Sequence, residues 1–173
     1  PTPTLTPSDV TNAATQVTNA KTQLNGNHNL EVAKQNANTA IDGLTSLNGP
    51  QKAKLKEQVG QATTLPNVQT VRDNAQTLNT AMKGLRDSIA NEATIKADQN
   101  YTDASPNNRS EYDSAVTAAK AIIGQTTSPS MNAQEINQAK DQVTAKQQAL
   151  NGQENLRTAQ TNAKQHLNGL SVT

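Results

Sequence analysis

The chain has 173 residues, of which 32% are hydrophobic and 1% aromatic, with no Phe, Trp or Cys. With 15 basic and 14 acidic residues the net charge is +1, no basic run is dense enough to track phosphates, and two tyrosines offer almost no surface for base stacking. Nucleic-acid binding and a large core are thereby excluded, and no apolar run of about 18 residues exists to span a membrane.

Thin cores of Leu, Ile, Val and Ala suit three-helix bundles of about 50 to 70 residues. The wealth of Asn, Gln and Thr raises disorder as an alternative, but helical periodicity is sustained along the chain. Thr6 predicts an N-cap with Pro7 at the first helical position, followed by a stripe of Val10, Ala13, Val17 and Leu24. Beyond Asn25-Gly26 a second stripe runs through Leu30, Ala33, Ala37, Ile41 and Leu44. The six-residue step from Leu24 to Leu30 turns the stripe by about 120° on a continuous helix. Either one helix buries two faces in turn, or Gly26 ends the first helix; continuity is the favoured reading.

Leu47-Asn48-Gly49-Pro50 predicts a turn, and a short helix from Gln51 to Ala62 follows with Leu55, Val59 and Ala62 on one face. Thr63-Thr64-Leu65-Pro66 breaks it. Asn67 then reads as the N-cap of a single long helix reaching Gln99, with Val68, Val71, Ala75, Leu78, Met82, Leu85 and Ile89 at steps of three and four. At 1.5 Å per residue it would be roughly 50 Å long, so its two halves are expected to serve different bundles. Tyr101 to Asn108 reads as a loop. A helix from Asn107 to Ile123 turns Tyr112, Val116, Ala119 and Ile123 inward, and Gly124 to Ser130 is another turn. The last helix begins near Ser130 or Asn132, carries Ile136, Ala139, Val143 and Leu150, and either stops or continues through Gly152 into Leu156, Ala159, Ala163 and Leu167.

The two ends of the chain match each other. Leu24-Asn25-Gly26 corresponds to Leu150-Asn151-Gly152, an offset of 126 residues. The same offset pairs Val17 with Val143, Leu30 with Leu156, Ala33 with Ala159, Ala37 with Ala163 and Gly43-Leu44 with Gly169-Leu170. Matches of this density, glycines included, mark one whole repeat and part of the next, hence an array.

Catalytic chemistry has little to stand on. His28 and His166 lie in different repeats without a neighbouring His or Cys cluster, and His28 with Glu31 reads as a solvated pair rather than a metal site. No G-x-S-x-G or P-loop spacing is present. Lys52, Lys54 and Lys56 form the densest basic cluster; an acidic glycan or teichoic acid is a conceivable partner, a solvated face beside Glu57 the simpler one. Met82 reads as core filler, Tyr112 as the largest group of its core, and Tyr101 as a candidate exposed anchor. No catalytic, cofactor-binding or metal-binding residue is assigned, no cofactor is expected, and no ligand-contacting residue is identified.

Leu78-Asn79-Thr80-Ala81-Met82-Lys83-Gly84-Leu85-Arg86-Asp87-Ser88-Ile89 resembles the signature that opens the FIVAR module, and Tyr101, Tyr112-Asp113-Ser114-Ala115-Val116 and Ala119 resemble its later pattern. Asn29 to Lys34, continuing through Leu55-Lys56-Glu57-Gln58-Val59, is similar to a GA module, the three-helix relative of albumin-binding domains. Alternation of the two at this period resembles the giant staphylococcal extracellular-matrix-binding adhesins. The resemblance implies a bacterial cell-wall-associated surface protein, outside the cell, that binds host matrix, fibronectin in particular. Albumin-binding members use large apolar and aromatic residues on the second helix and the loop before it. Asn48-Gly49-Pro50-Gln51-Lys52-Ala53-Lys54 has none, so tight albumin binding is not expected.

The expected architecture is all-α: an elongated rod of tandem three-helix bundles joined by long shared helices. Residues 1–26 are read as the last helix of a preceding FIVAR-like module, 27–77 as a GA-like bundle, 78–152 as a FIVAR-like bundle, and 153–173 as the first helix of a following GA-like module. With no signal peptide or anchor in view, this is expected to be an interior piece of a larger exported chain. It is expected to be monomeric, with end-to-end contacts through exposed stripes at Val10, Val17, Leu24 and at Leu156, Ala163, Leu167. The expected function is adhesion by many weak contacts, with a ligand-free spacer as the alternative.

Overall fold

The computed structural model describes residues 6–172, which form eight α-helices and, among the described residues, no strand. They are α1 (Pro7–Asp42), α2 (Gly49–Gln61), α3 (Leu65–Ile89), α4 (Glu92–Ala97), α5 (Gln99–Thr102), α6 (Pro106–Ile123), α7 (Ala133–Gln148) and α8 (Gly152–Val172). Contacts divide the chain into two compact units. The first holds residues up to Gly43 together with Ala53–Ala75; the second holds Leu44–Lys52 and Gln76 onward. Helix α3 thus contributes its residues to Ala75 to one unit and those from Gln76 to the other.

Helix α1 opens as its sequence predicts: Thr6 Oγ1 accepts from Asp9 N at 3.3 Å and Pro7 occupies the first turn. It runs unbroken through Gly26 and stops at Gly43, whose N–H returns to Thr39 and Ile41 carbonyls. In the first unit Ala37 and Ile41 of α1 are buried, as are Leu55, Val59, Val68, Val71 and Ala75. Each large aliphatic group there contributes about 1.5–3 kcal/mol by leaving water. Outside this core Lys34 Nζ donates to the Gly60 carbonyl at 2.9 Å, and Lys56 pairs with Asp42.

In the second unit Leu78, Ala81, Met82 and Leu85 of α3 are buried, as are Ile95, Tyr112, Val116, Ala119, Ile136, Val143 and Leu150. Met82 and Tyr112 are fully buried, as their spacing predicted. Ile123 is half-buried.

Four expectations need correction. Asn67 does not cap α3: the helix starts at Leu65, and Thr64 Oγ1 accepts from Asn67 N at 3.2 Å. The long helix does not reach Gln99 but ends at Ile89, because Ile95 lies six residues further on. On a continuous helix it would point about 120° away from the buried stripe. A turn at Ala90–Asn91 re-aims α4 and buries Ile95. The expected loop at Tyr101–Asn108 begins inside a single helical turn, α5, capped by the Asp98 carboxylate on Asn100 N at 2.7 Å. Finally, Leu156, expected in an exposed stripe, is half-buried because the first turn of α8 rests on α5; of the two readings left open at Gly152, the helix stops there, and α7 and α8 are separate.

Candidate functional site

Three features of the second unit concentrate its polar chemistry. The first is a charged network on α4, α5 and α6. Glu92 accepts from Lys120 at 2.7 Å and, one helical turn along α4, from Lys96 at 2.9 Å. Lys96 also lies 3.6 Å from Asp113, and the Tyr101 hydroxyl donates to both Asp113 oxygens at 2.9 and 3.0 Å. The Tyr101 ring meets Tyr112 edge-on, with centroids 6.1 Å apart.

Hydrogen bonds from Lys120 and then Lys96 hold the Glu92 carboxyl below its usual range, and Glu92 in turn raises Lys96. Burial, and then the bond to Asp113, push the Tyr101 phenol up; burial does the same at Tyr112. Every such shift deepens the charge state these groups already have near neutrality. A general acid or base needs the opposite, a pKa moved toward the working pH. The network is an ion-pair lattice that ties α4 to α6.

The second feature is the turn between α1 and α2. Asn48 and Gln51 cap each other: Asn48 N donates to Gln51 Oε1 at 3.0 Å, and Gln51 N to Asn48 Oδ1 at 2.9 Å. Their amide groups then reach across the unit. Asn48 Nδ2 donates to the Ile123 carbonyl at 3.1 Å, and the fully buried Gln51 donates through Nε2 to the Ser130 carbonyl at 2.9 Å. Arg86 Nε donates to Ser46 O at 2.8 Å, and Ser46 N to Asn79 Oδ1 at 3.0 Å. Asn48 and Gln51 of this turn are thereby bonded inward.

The third feature is an amide clamp where α7 gives way to α8. Asn155 Nδ2 donates to the Asp103 carbonyl at 3.0 Å, Gln153 N to Asn100 Oδ1 at 3.1 Å, and Asn151 engages Ser105. Gly152 is buried beneath α5.

Two open grooves accompany these features. One, of 370 Å³, runs between α6 and α7 over Ser114, Ala115, Ala118 and Ala139, with the Glu111–Lys146 pair at 3.2 Å on its rim. The other, of 260 Å³, lies between Ile95, Asp98, Tyr101 and Leu150. Neither gathers titratable groups around an enclosed space. Among the described residues no group of three His, Cys, Asp or Glu is placed to hold a metal, and His28 and His166 are both exposed. Lys52, Lys54 and Lys56 do not act as one cluster, since Lys56 is taken up by Asp42. Tyr101 is half-buried rather than an exposed anchor.

Sequence reasoning passed over the Asn48–Gln51 pair, although N-x-x-Q has the spacing of a capping box. It also passed over Glu92 and Lys96, although an i, i+4 pair is legible on any helix. Lys120 as their third member is a product of the fold and has no local signal.

The FIVAR domain profile matches residues 1–25 and 81–151, more than half of the chain, and the GA module profile matches 27–81 and 153–172. The chain belongs to the FIVAR family. Its FIVAR and GA segments alternate, and among curated relatives it is 99% identical over 171 residues to the extracellular matrix-binding protein ebh of Staphylococcus aureus strain MW2. It is 95% identical over 171 residues to EbhB of strain Newman. Both alignments cover 99% of the chain but only 2% of the relative's length.

Of solved structures, a crystal structure of an EbhA segment from S. aureus superposes with a TM-score of 0.86 at 37% identity, covering 96% of this chain and 68% of that one. A structure from work on Embp-mediated adherence of Staphylococcus epidermidis to fibronectin superposes at 0.70 and 26% identity, covering 72% of this chain and 98% of that one. The curated relatives are named extracellular matrix-binding proteins, and GA and FIVAR modules make up the matched segments. Among the described residues no helix is long and apolar enough to cross a membrane.

Proposed function

We propose that this segment is a structural and adhesive repeat of a cell-wall-associated staphylococcal surface protein, binding fibronectin by weak contacts multiplied along an array. The observation that carries the reading is near-identity to an extracellular matrix-binding protein over 171 residues. The fold likeness to a protein studied for fibronectin adherence supports the choice of ligand. Residues 27–77 act as a GA-like bundle and 78–152 as a FIVAR-like bundle, flanked by helices of neighbouring modules at 1–26 and 153–173. Linked weak sites exceed their single affinities by about 10²–10⁴ when geometry lets them engage together. The segment has no catalytic role, and it does not bind albumin tightly, because Asn48 and Gln51 are bonded inward.

Titration of the chain, and of tandem arrays of it, against immobilised fibronectin at physiological salt tests this. Weak saturable binding by the chain, steepening with repeat number, is expected. Absence of binding by chain and array alike overturns it.

A spacer without a ligand is the second reading. It is favoured by the scarcity of exposed large apolar groups: between the stripes of α1 and α8 the described residues expose only Val32 and Leu65. A spacer gives no binding by arrays of any length.

A further inference from the structure

The triplet Leu-Asn-Gly recurs along the chain, beginning at Leu24, Leu47, Leu150 and Leu167. The first and last copies lie inside α1 and α8. In the other two the glycine is the first residue of a helix, Gly49 of α2 and Gly152 of α8, with the asparagine just before it. These two asparagines grip opposite ends of one helix. Asn151 accepts from Ser105 N at the amino end of α6, and Asn48 donates to the Ile123 and Ile122 carbonyls at its carboxyl end, at 3.1 and 3.5 Å.

An Asn-Gly peptide is prone to cyclise, because glycine has no Cβ to hinder attack by its own nitrogen on the asparagine side chain. A helix interior ties that nitrogen into its ladder; a helix start does not, since its first N–H groups have no intrahelical acceptor. The two carboxamides are polarised alike, Oδ1 accepting from Gln51 N at 2.9 Å in one and from Ser105 N at 2.9 Å in the other. Access separates them. Gly49 is exposed, with nothing within 4 Å of the place a Cβ would take. Gly152 is buried, and that place is overlapped by the Gln99 and Asn100 carbonyls.

We propose that Asn48 is a modification site that deamidates without an enzyme in the folded chain, and that the product releases the carboxyl end of α6. Gly49 N gives its proton to a solvent base and attacks Asn48 Cγ. The N–Cγ bond forms as the Cγ–Nδ2 bond breaks, and Nδ2 departs as ammonia with a proton from water. Water then opens the cyclic imide at either carbonyl, giving aspartate or isoaspartate; nothing is oxidised or reduced.

Aspartate keeps the acceptor for Gln51 N, since Asp and Asn are equally good N-caps. It loses the donor. A carboxylate oxygen then faces two carbonyls at the negative end of the α6 dipole, where an anion is disfavoured. The same change at Asn151 places the charge at the positive end, against Ser105 N, where it is favoured. One reaction thus has opposite effects at two copies of one triplet.

The chain is held at mildly alkaline pH, folded and in urea, and each asparagine is followed by mass-spectrometric peptide mapping that separates aspartate from isoaspartate. In urea the two triplets, alike in sequence, are expected to convert at similar rates. In the folded chain Asn151 is expected to convert about tenfold or more slowly than Asn48, because its buried glycine reacts only after local unfolding. Asn48→Asp is expected to lower the thermal midpoint by about 3–6 °C, and Asn151→Asp to leave it unchanged or raise it. Protection of Asn48 as complete as that of Asn151 in the folded chain overturns the assignment of the site. An Asn48→Asp midpoint equal to the parent's overturns the release of α6.

Discussion

Asn151 closes on Ser105 from both ends of its carboxamide: Oδ1 accepts from Ser105 N at 2.9 Å, and Nδ2 donates to Ser105 Oγ at 3.1 Å. The two residues sit 46 positions apart, at the start of α6 and in the break before α8. Ser105 N is one of the free donors at a helix start, so Asn151 supplies a cap that the local sequence lacks. Asn151→Ala leaves a part-buried amide without its acceptor and is expected to cost about 1–3 kcal/mol. Urea unfolding measures it, and a change under about 0.5 kcal/mol would show that the break is held by packing alone.

Gln51 is fully buried, yet its side chain accepts from Asn48 and donates to Ser130. A satisfied buried amide contributes modestly, but its removal strands its partners. Gln51→Ala is expected to destabilise the second unit by about 1–3 kcal/mol, the Ser130 carbonyl being left without its donor. Amide hydrogen exchange is expected to accelerate near Gln125–Ser130 as the turn loosens. Unchanged exchange there sinks this account of the turn.

Tyr112 fills the core of the second unit, and its hydroxyl has no protein partner among the described residues. The ring, not the hydroxyl, is therefore the stabilising part. Tyr112→Phe is expected to be neutral or to gain up to about 1 kcal/mol, while Tyr112→Ala loses about 3–5 kcal/mol. The ordering is read from denaturant midpoints; a Phe variant as unstable as the Ala variant contradicts it.

Glu92 is held below the ordinary carboxyl range by its bonds to Lys120 and Lys96. A carboxyl whose pKa is lower folded than unfolded stabilises above the unfolded value, and the gain is lost as pH falls through the folded value. Glu92→Gln is expected to lower the melting temperature by a constant amount above about pH 5 and to converge with the parent protein in acid. Curves that stay parallel throughout the acid range would show that the carboxylate charge is not what matters. Salt is expected to narrow the gap, because these groups are partly exposed.

The sequence by itself determined the all-helical class, the stripes that become cores, the capping of α1 by Thr6 and the 126-residue repeat. Each is local or periodic: a cap is read within four residues, and a buried face within two turns. Only the tertiary structure decided where α3 and α7 stop. Ile95 lies off the stripe of α3, and the chain turns at Ala90–Asn91 so that it can be buried. Leu-Asn-Gly is helical at Gly26 and broken at Gly152, although the letters are identical. The difference is Asn100, Asp103 and Ser105, brought against the second site and absent from the first. A helix end is worth leaving open when a distant segment supplies the hydrogen bonds, and that segment is not written within the helix itself.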